Sequence, residues 1–216
     1  MPFTSFDPAR LEPAQRHKLS IGTIVPRPIA WTTSLDAQGQ ANLAPFSYFM
    51  GCHSYVPALA ISIGSRGDQP KDSRANIAAS GEFVVNLVTA DLVERMNISA
   101  ADFPPDVNEI ELLGLATLPS EAVAPPRIAE SPVQIECRVL HAVDLGEPPR
   151  LSTLFVAQVL RWHVREDLVQ DFKVDQAGLG AVARMGGPFY CRADDPFALS
   201  IPDWRTILPE HPAAQA

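Results

Sequence analysis

The amino-acid sequence predicts a mainly β fold, an antiparallel barrel or sandwich with a few short helices. Six to eight runs rich in β-branched and aromatic residues occur without regular alternation with helices. The 21 prolines outnumber the 12 glycines and are spread along the chain, which disfavours long helices. Hydrophobic residues make up 46% and charged residues 19%, enough for a packed core. We predict one domain over residues 1–216, with a disordered tail at 209–216.

The first strands are predicted as a hairpin followed by a separate strand. Residues 29–35 are rich in β-branched and aromatic side chains, residues 36–39 give a turn signal, and residues 41–44 resume the extended pattern. Residues 59–65 alternate apolar with small side chains. This pattern predicts a strand with one buried face and one face that another group can approach closely.

A short helix is predicted over residues 71–80, ahead of a strong strand at residues 82–88. Asp72 or Ser73 can cap the start of this helix through a side-chain oxygen. Gly81 can end it, because glycine adopts the left-handed conformation that closes many helices.

The second half of the chain predicts two further helices and four strands. Thr89 can cap a helix that runs to about residue 98. Residues 99–132 are rich in proline and show only one clear element, a short helix at residues 109–113. Strands are predicted at residues 133–143, 153–164, 189–192 and 197–201, with a turn at residues 146–149.

Charge and composition narrow the classes of molecule that we expect this chain to bind. The net charge of −8 argues against a nucleic-acid binder, which is usually basic. The N-terminus lacks the features of a signal peptide, and no apolar run approaches the roughly 18 residues of a membrane span. We therefore expect no membrane association and a cytoplasmic location. The three cysteines are far apart and predict free thiols, and the five histidines lack metal-ligand spacing, so no metal is expected.

One acidic pattern and one glycine-containing pattern do not predict ligand sites. The acidic group Asp102, Asp106, Glu109 and Glu111 has irregular spacing and no central glycine, which predicts a solvated surface instead of a calcium loop. Residues 178–183 match the glycine spacing of a dinucleotide-binding turn. They lack the preceding strand and the following helix that such a site needs.

Two polar segments can face a ligand. Arg27 precedes a strand that carries Thr32, Thr33 and Ser34, and these groups suit an anionic or polyhydroxyl ligand. Threonine is also a good strand former, so packing alone is an alternative. In residues 42–49, the proline at position 45 favours an extended backbone whose amides can reach a ligand. The alternative there is an aromatic core cluster.

A third segment suits a phosphate. Residues 62–64 are followed by Lys71, Asp72 and Ser73 at the start of the predicted helix, with Asn76 one turn later. Unpaired N–H groups and the positive end of the helix dipole favour an anion at such a start. An ordinary capped helix with a solvated face explains the same residues equally well.

Taken in order, these segments resemble the flavin reductase-like family, whose members have the FMN-binding split-barrel fold. The matching residues are 27–31, Thr33, Ser34, Asp36, Gly39, 42–47, Phe49, 71–73, Asn76, Ile77 and 81–86, and then Asn97, Pro104, Pro105, Cys137, Gly186, Gly187 and Tyr190. The resemblance therefore covers most of the chain. Thr32, Met50 and Ser73 depart from the usual family residues, and Met50 bears most on substrate preference.

The resemblance implies a split β-barrel of the antiparallel, Greek-key type that holds FMN at a homodimer interface. The implied cofactor-binding residues are Arg27, Thr33, Ser34, Asn42, Leu43, Ala44, Pro45, Ser47, Ser62, Ile63, Gly64, Lys71, Asp72, Ser73 and Asn76. Of these, residues 71–73 are expected at the phosphate, with Asp72 capping the helix or fixing Lys71. The flavin ring and its ribityl chain are expected along residues 33–34, 42–47 and 62–64.

The function implied by the resemblance is an NAD(P)H-dependent flavin reductase. No catalytic residue is named, because the flavin supplies the chemistry and the protein positions the two rings. An expected partner is a monooxygenase or an electron-transfer protein. The alternative is a non-enzymatic FMN electron carrier of the flavoredoxin kind, and a third possibility is a β-barrel that holds no flavin.

Overall fold

A seven-stranded antiparallel sheet forms the centre of the computed structural model, which describes residues 1–104, 106–208 and 210–211. The order across the sheet is β2-β1-β5-β6-β7-β4-β3. In chain order the strands are β1 (Ala30–Leu35), β2 (Ala41–Phe46), β3 (Phe49–His53), β4 (Ala58–Ile63), β5 (Glu82–Asn86), β6 (Val133–Leu145) and β7 (Ser152–Val164).

The sheet curls because its two edge strands are consecutive in the chain. Only Ser47 and Tyr48 separate β2 from β3. Six strand spacings in a flat sheet would put these edges about 29 Å apart, whereas the three peptide units of the link reach at most about 11 Å. The Tyr48 carbonyl also accepts a hydrogen bond from the Ser62 amide of β4, at 2.9 Å. The prediction of a mainly antiparallel barrel is confirmed.

Two apolar clusters lie on opposite faces of the sheet. The concave face carries a cluster that includes Phe83 and Phe155 and reaches Ile77 of the second helix. The opposite face carries a cluster that includes Trp31 and continues into the third and fourth helices. Ala30 belongs to the first cluster and Trp31 to the second, as the alternation of side chains along a strand requires.

Five α-helices lie around the sheet in the described part of the chain. They are α1 (Pro13–Thr23), α2 (Asp72–Ser80), α3 (Val93–Ile98), α4 (Glu109–Leu112) and α5 (Trp204–Ile207), and single 3₁₀ turns occupy Pro8–Arg10 and Glu166–Leu168. None of these helices is long and apolar enough to cross a lipid bilayer.

Helix α2 matches its predicted span but not its predicted cap. It ends at Gly81, whose φ of 71° is left-handed, as expected. Its N-cap is Lys71, no side chain caps the start, and Asp72 is already the first helical residue. The prediction that Asp72 or Ser73 caps α2 is therefore wrong.

Two other helices differ from the prediction. Helix α3 begins at Val93 instead of near Thr89, because Thr89 forms an isolated β-bridge with Ala181. Helix α1 was not predicted, because it buries no residue and so has no apolar stripe to reveal it.

The short strands form small sheets beside the barrel. The strand predicted at residues 189–192 is present as Tyr190–Arg192, and residues 197–201 form no strand, so that prediction is wrong. Phe197 is 84% exposed in that segment. The disordered tail predicted at residues 209–216 falls largely outside the described residues.

The short strands pair in four small groups. A three-stranded ribbon is made by Arg27–Pro28, Val182–Arg184 and Tyr190–Arg192. Two-stranded pairs join Thr117–Leu118 to Arg127–Ile128, Val169–Gln170 to Lys173–Val174, and Ser65–Arg66 to Gln69–Pro70.

A buried arginine ties the ribbon to the barrel. Arg27 is 6% exposed, and its guanidinium donates to the carbonyls of Ile21 at 2.8 Å, Ile24 at 2.7 Å and Met185 at 3.2 Å. Its Nε donates to Ser47 Oγ at 3.3 Å, in the link between the edge strands. One side chain therefore connects the end of α1, the ribbon and the closure of the sheet.

Replacing Arg27 should test this connection. A lysine ammonium lacks the planar fork that serves these four acceptors, so Arg27→Lys leaves part-buried carbonyls unpaired. We expect the free energy of unfolding, measured by urea denaturation, to fall by about 2–3 kcal/mol. The control is Arg10→Lys on an exposed side chain, with an expected change below about 0.5 kcal/mol. Equal stability of the two variants would show that Arg27 does not hold these parts together.

Candidate functional site

A cleft lies between the edge strand β2 and the N-terminus of α2. Strand β2, the start of α2, the segment after α3 and helix α4 each contribute to its walls. The lining residues are Asn42, Ala44, Pro45, Phe46, Arg66, Lys71, Asp72, Ser73, 99–102 and Glu109.

The cleft brings together part of the set predicted from the sequence. The predicted residues that line it are Asn42, Ala44, Pro45, Lys71, Asp72 and Ser73. The predicted residues outside its lining are Arg27, Thr33, Ser34, Leu43, Ser47, Ser62, Ile63, Gly64 and Asn76. For several of the second group, the structure shows what the side chain does instead.

Two polar pairs fix α2 against the sheet. Asn42 Nδ2 of β2 donates to Ser73 Oγ of α2 at 2.7 Å. Asn76 Nδ2, one turn further along α2, donates to Ser34 Oγ of β1 at 3.3 Å. Ser34 and Ser73 are both buried. These predicted residues therefore set the position of the helix start relative to β2.

Other predicted residues serve the barrel itself. Thr33 is buried and its hydroxyl donates to the Pro126 carbonyl at 2.5 Å. Ile63 belongs to the concave core cluster. A side chain at Gly64 would meet Ser152 Oγ at 3.4 Å, so this glycine lies close to β7. Arg27 and Ser47 are joined in the connection described above.

The N-terminus of α2 brings the positive end of the helix dipole and Lys71 to the cleft. No side chain caps it, so first-turn N–H groups remain available. Within the described residues the Lys71 ammonium makes no hydrogen bond or ion pair, including with Asp72, which does not fix it as predicted. The other nearby cations are engaged: Arg66 pairs with Asp102 at 2.9 Å, and Arg74 Nε donates to Thr153 Oγ1 at 2.7 Å.

A buried carboxylate lies in the same cleft. Glu109 is 8% exposed, and its Oε2 accepts a hydrogen bond from the Leu43 amide at 3.1 Å. Burial raises the pKa of Glu109, and the negative charge of Asp72 acts in the same direction. The amides of Leu43 and of Glu109 itself, and the charge of Arg66, lower the pKa, but burial outweighs them.

The position of Glu109 corrects one prediction. Asp102, Asp106 and Glu111 are exposed as predicted for a solvated acidic surface, but Glu109 is buried. A helical-face argument could have revealed it. Glu109 lies four residues before Leu113, on the same face of the helix, and Leu113 packs against the cluster around Trp31.

The residues of the cleft fit the FMN that the resemblance implies. The uncapped start of α2 and the unpaired Lys71 suit a phosphate. The edge strand β2 offers backbone carbonyl groups along the rest of the cleft. Across the described ranges, no group of three or more His, Cys, Asp or Glu residues is placed to hold a metal ion.

Glu109 should make stability depend on pH. Because its pKa is raised in the fold, its stabilising contribution is full below about pH 4.5 and is lost as the pH rises through the raised pKa. Glu109→Gln removes this titration and keeps an oxygen for the Leu43 amide. We expect the free energy of unfolding of the variant, minus that of the natural chain, to be more positive at about pH 8 than at about pH 4.

Urea denaturation at both pH values measures this difference. Glu111→Gln, on the exposed side of α4, controls for the loss of a carboxylate from the helix. A pH trend in Glu109→Gln no larger than that of the control would contradict the assignment.

Comparison with known proteins identifies the fold and the family. The structure of nitrilotriacetate monooxygenase component B from Bacillus cereus is 31% identical with a TM-score of 0.88, covering 92% of this chain and 100% of that one. The 2-nitrobenzoate 2-nitroreductase NbaA of Pseudomonas fluorescens is 30% identical with a TM-score of 0.83, covering 92% and 96% of the two chains. A putative flavin reductase with a split barrel domain from Shewanella frigidimarina shares the fold, with 20% identity, a TM-score of 0.79, and coverage of 93% and 100%.

These similarities confirm the predicted split barrel. The family model described as "Flavin reductase like domain" matches residues 21–177, which include every residue of the cleft. The chain belongs to the flavin reductase-like family.

Proposed function

We propose that this chain is an oxidoreductase that binds FMN in the cleft and uses NAD(P)H to reduce it. The observation that carries the proposal is the uncapped start of α2, with the unpaired Lys71, at one end of a cleft along an edge strand. A phosphate is favoured at such a helix start, and a flat ring can lie against the half-buried edge strand. Membership of the flavin reductase-like family supports the choice of flavin over other phosphorylated ligands.

The residues of the chain then have binding and positioning roles. Lys71 and the first-turn amides of α2 hold the phosphate. Asn42 and Ser73 fix the distance between that seat and β2 through their hydrogen bond. FMN held there would supply the redox chemistry between NAD(P)H and an electron acceptor. The protein contributes position and exclusion of water, which is why no acid–base side chain is required.

The functional unit in this proposal is a homodimer in which the second subunit covers the open side of the cleft. Large apolar side chains are exposed in the C-terminal segment, where Phe197, Leu199 and Ile201 are each more than 80% accessible. An exposed apolar run of this kind is typical of a protein–protein contact. A monomer in sedimentation experiments at micromolar concentration would contradict this part of the proposal.

The acceptor class is proposed from the similarity to a monooxygenase component. Component B of nitrilotriacetate monooxygenase resembles the chain over nearly its whole length. We therefore expect the electrons to leave on reduced flavin that serves a separate oxygenase. The alternative of an electron carrier predicts the opposite behaviour, tight retention of FMN and slow reduction by NAD(P)H.

Oxidation of NADH and NADPH tests the enzyme. The purified chain is mixed with each nucleotide and excess FMN, and absorbance at the nicotinamide band is followed. We expect FMN-dependent oxidation of at least one nucleotide well above the protein-free rate. No acceleration with either nucleotide would remove the reductase activity, and fast reduction only by a donor protein would support the carrier instead.

Lys71 should contribute to affinity for the phosphate alone. Lys71→Met keeps the apolar stem and removes the charge, so the Kd for FMN should rise about tenfold or more. The Kd for riboflavin, which lacks the phosphate, should stay the same. Both are measured by quenching of flavin fluorescence. Lys173→Met, on an exposed hairpin, is the matched control, and equal losses for FMN and riboflavin would place the phosphate elsewhere.

A further inference from the structure

The carboxylate of Glu109 has acceptor capacity that the fold does not use. An ionised carboxylate has about four lone-pair sites. Among the described residues, only the amides of Leu43 and of Glu109 itself act on it as hydrogen-bond donors. Glu109 is more than nine-tenths buried and yet lines the cleft. A buried acceptor of this kind fits a ligand that donates a hydrogen bond.

The charge of Glu109 restricts which part of a ligand lies beside it. Glu109 shares the cleft with Lys71, and it is close enough to Asp72 for the two negative charges to repel. A phosphate beside Glu109 would add a third negative charge. The phosphate therefore belongs at Lys71 and the amides of α2, and the group beside Glu109 should be neutral with a donor hydrogen.

In FMN, two groups are neutral and donate hydrogen bonds: the hydroxyls of the ribityl chain and the N3–H of the ring. The ribityl chain is bonded directly to the phosphate, whereas N3 lies at the far side of the ring. Glu109 lines the same cleft as residues 71–73, and it is near enough to Asp72 for their charges to interact, so the ribityl chain is the part within reach.

We propose that Glu109 determines specificity for the sugar-alcohol part of the flavin by accepting a hydrogen bond from a ribityl hydroxyl. This inference rests on the proposed function, because it assumes that flavin binds in the cleft. It adds a residue and a ligand group that the sequence did not indicate. A charge-assisted bond of this kind in a buried site is stronger than one between neutral groups.

Three flavins that lack successive parts of the molecule show which part of the ligand Glu109 contacts. FMN carries phosphate, ribityl chain and ring, riboflavin lacks the phosphate, and lumiflavin has the ring with its N3–H but no ribityl chain. The Kd of each is measured by fluorescence quenching for the natural chain, Glu109→Ala and Glu109→Gln. Glu111→Ala, on the exposed side of the same helix, is the matched control.

We expect Glu109→Ala to raise the Kd for FMN and for riboflavin about 10-fold to 100-fold and to leave the Kd for lumiflavin unchanged. Glu109→Gln keeps an oxygen for the Leu43 amide, so it protects the fold if the alanine variant is unstable. It should show the same pattern with a smaller loss, because an amide replaces the charged acceptor. Glu111→Ala should leave all three affinities unchanged.

Several outcomes would overturn the inference while leaving flavin binding intact. An equal loss for all three flavins would mean that Glu109 supports the wall or the ring. A loss confined to FMN would mean that it acts on the phosphate. Unchanged affinities in both Glu109 variants would mean that it does not contact the flavin. If the natural chain binds none of the three flavins, the proposed function itself fails, and the inference fails with it.

Discussion

The two-residue link between β2 and β3 is the constraint on which the rest of the structure depends. These strands are the outer edges of the sheet, yet the chain passes from one to the other through Ser47 and Tyr48. The sheet therefore has to curl, and its concave face becomes an enclosed core around Phe83 and Phe155. Arg27 holds the link through Ser47 and joins it to the ribbon formed late in the chain. Closure of the sheet and the docking of the late ribbon thus both involve Arg27.

The position of the cleft follows from this closure. Strand β2 pairs with β1 on one side and leaves its other side available. Helix α2 starts beside that free side, and the hydrogen bond between Asn42 and Ser73 fixes the start there. Helix α4 brings Glu109 to the same strand. The start of α2, the outer edge of β2 and the buried Glu109 carboxylate are therefore combined without any one loop having to supply them.

The sequence predicted the strands of the barrel because their alternation is strong and local. The predicted strands at residues 133–143 and 153–164 lie within β6 and β7, and Gly81 ends α2 as expected. Helix α1 escaped prediction because it has no buried face, and the strand at residues 197–201 was predicted from apolar residues that remain exposed. In both segments apolar content was a poor guide, because neither packs into the core.

The site was predicted less completely than the fold. Motif order indicated fifteen residues, and six of them line the cleft. Thr33 and Ser34 were chosen for their hydroxyls, but those hydroxyls are hydrogen-bonded inside the protein. The burial of Glu109 was open to a helical-face argument, but its partner, the backbone of Leu43 66 positions earlier, was not. A contact with a main-chain amide leaves no trace in the identity of the partner residue.

The hydrogen bond from Leu43 to Glu109 also bears on solubility. An exposed strand edge invites strands from other molecules, which add by taking its free N–H and C=O groups. On β2, the Leu43 N–H is already occupied, and Pro45, two residues on and facing the same way, has no N–H to give. The middle of this edge thus has no donor left for an incoming strand. This edge is therefore a poor template for strands of other copies of the chain.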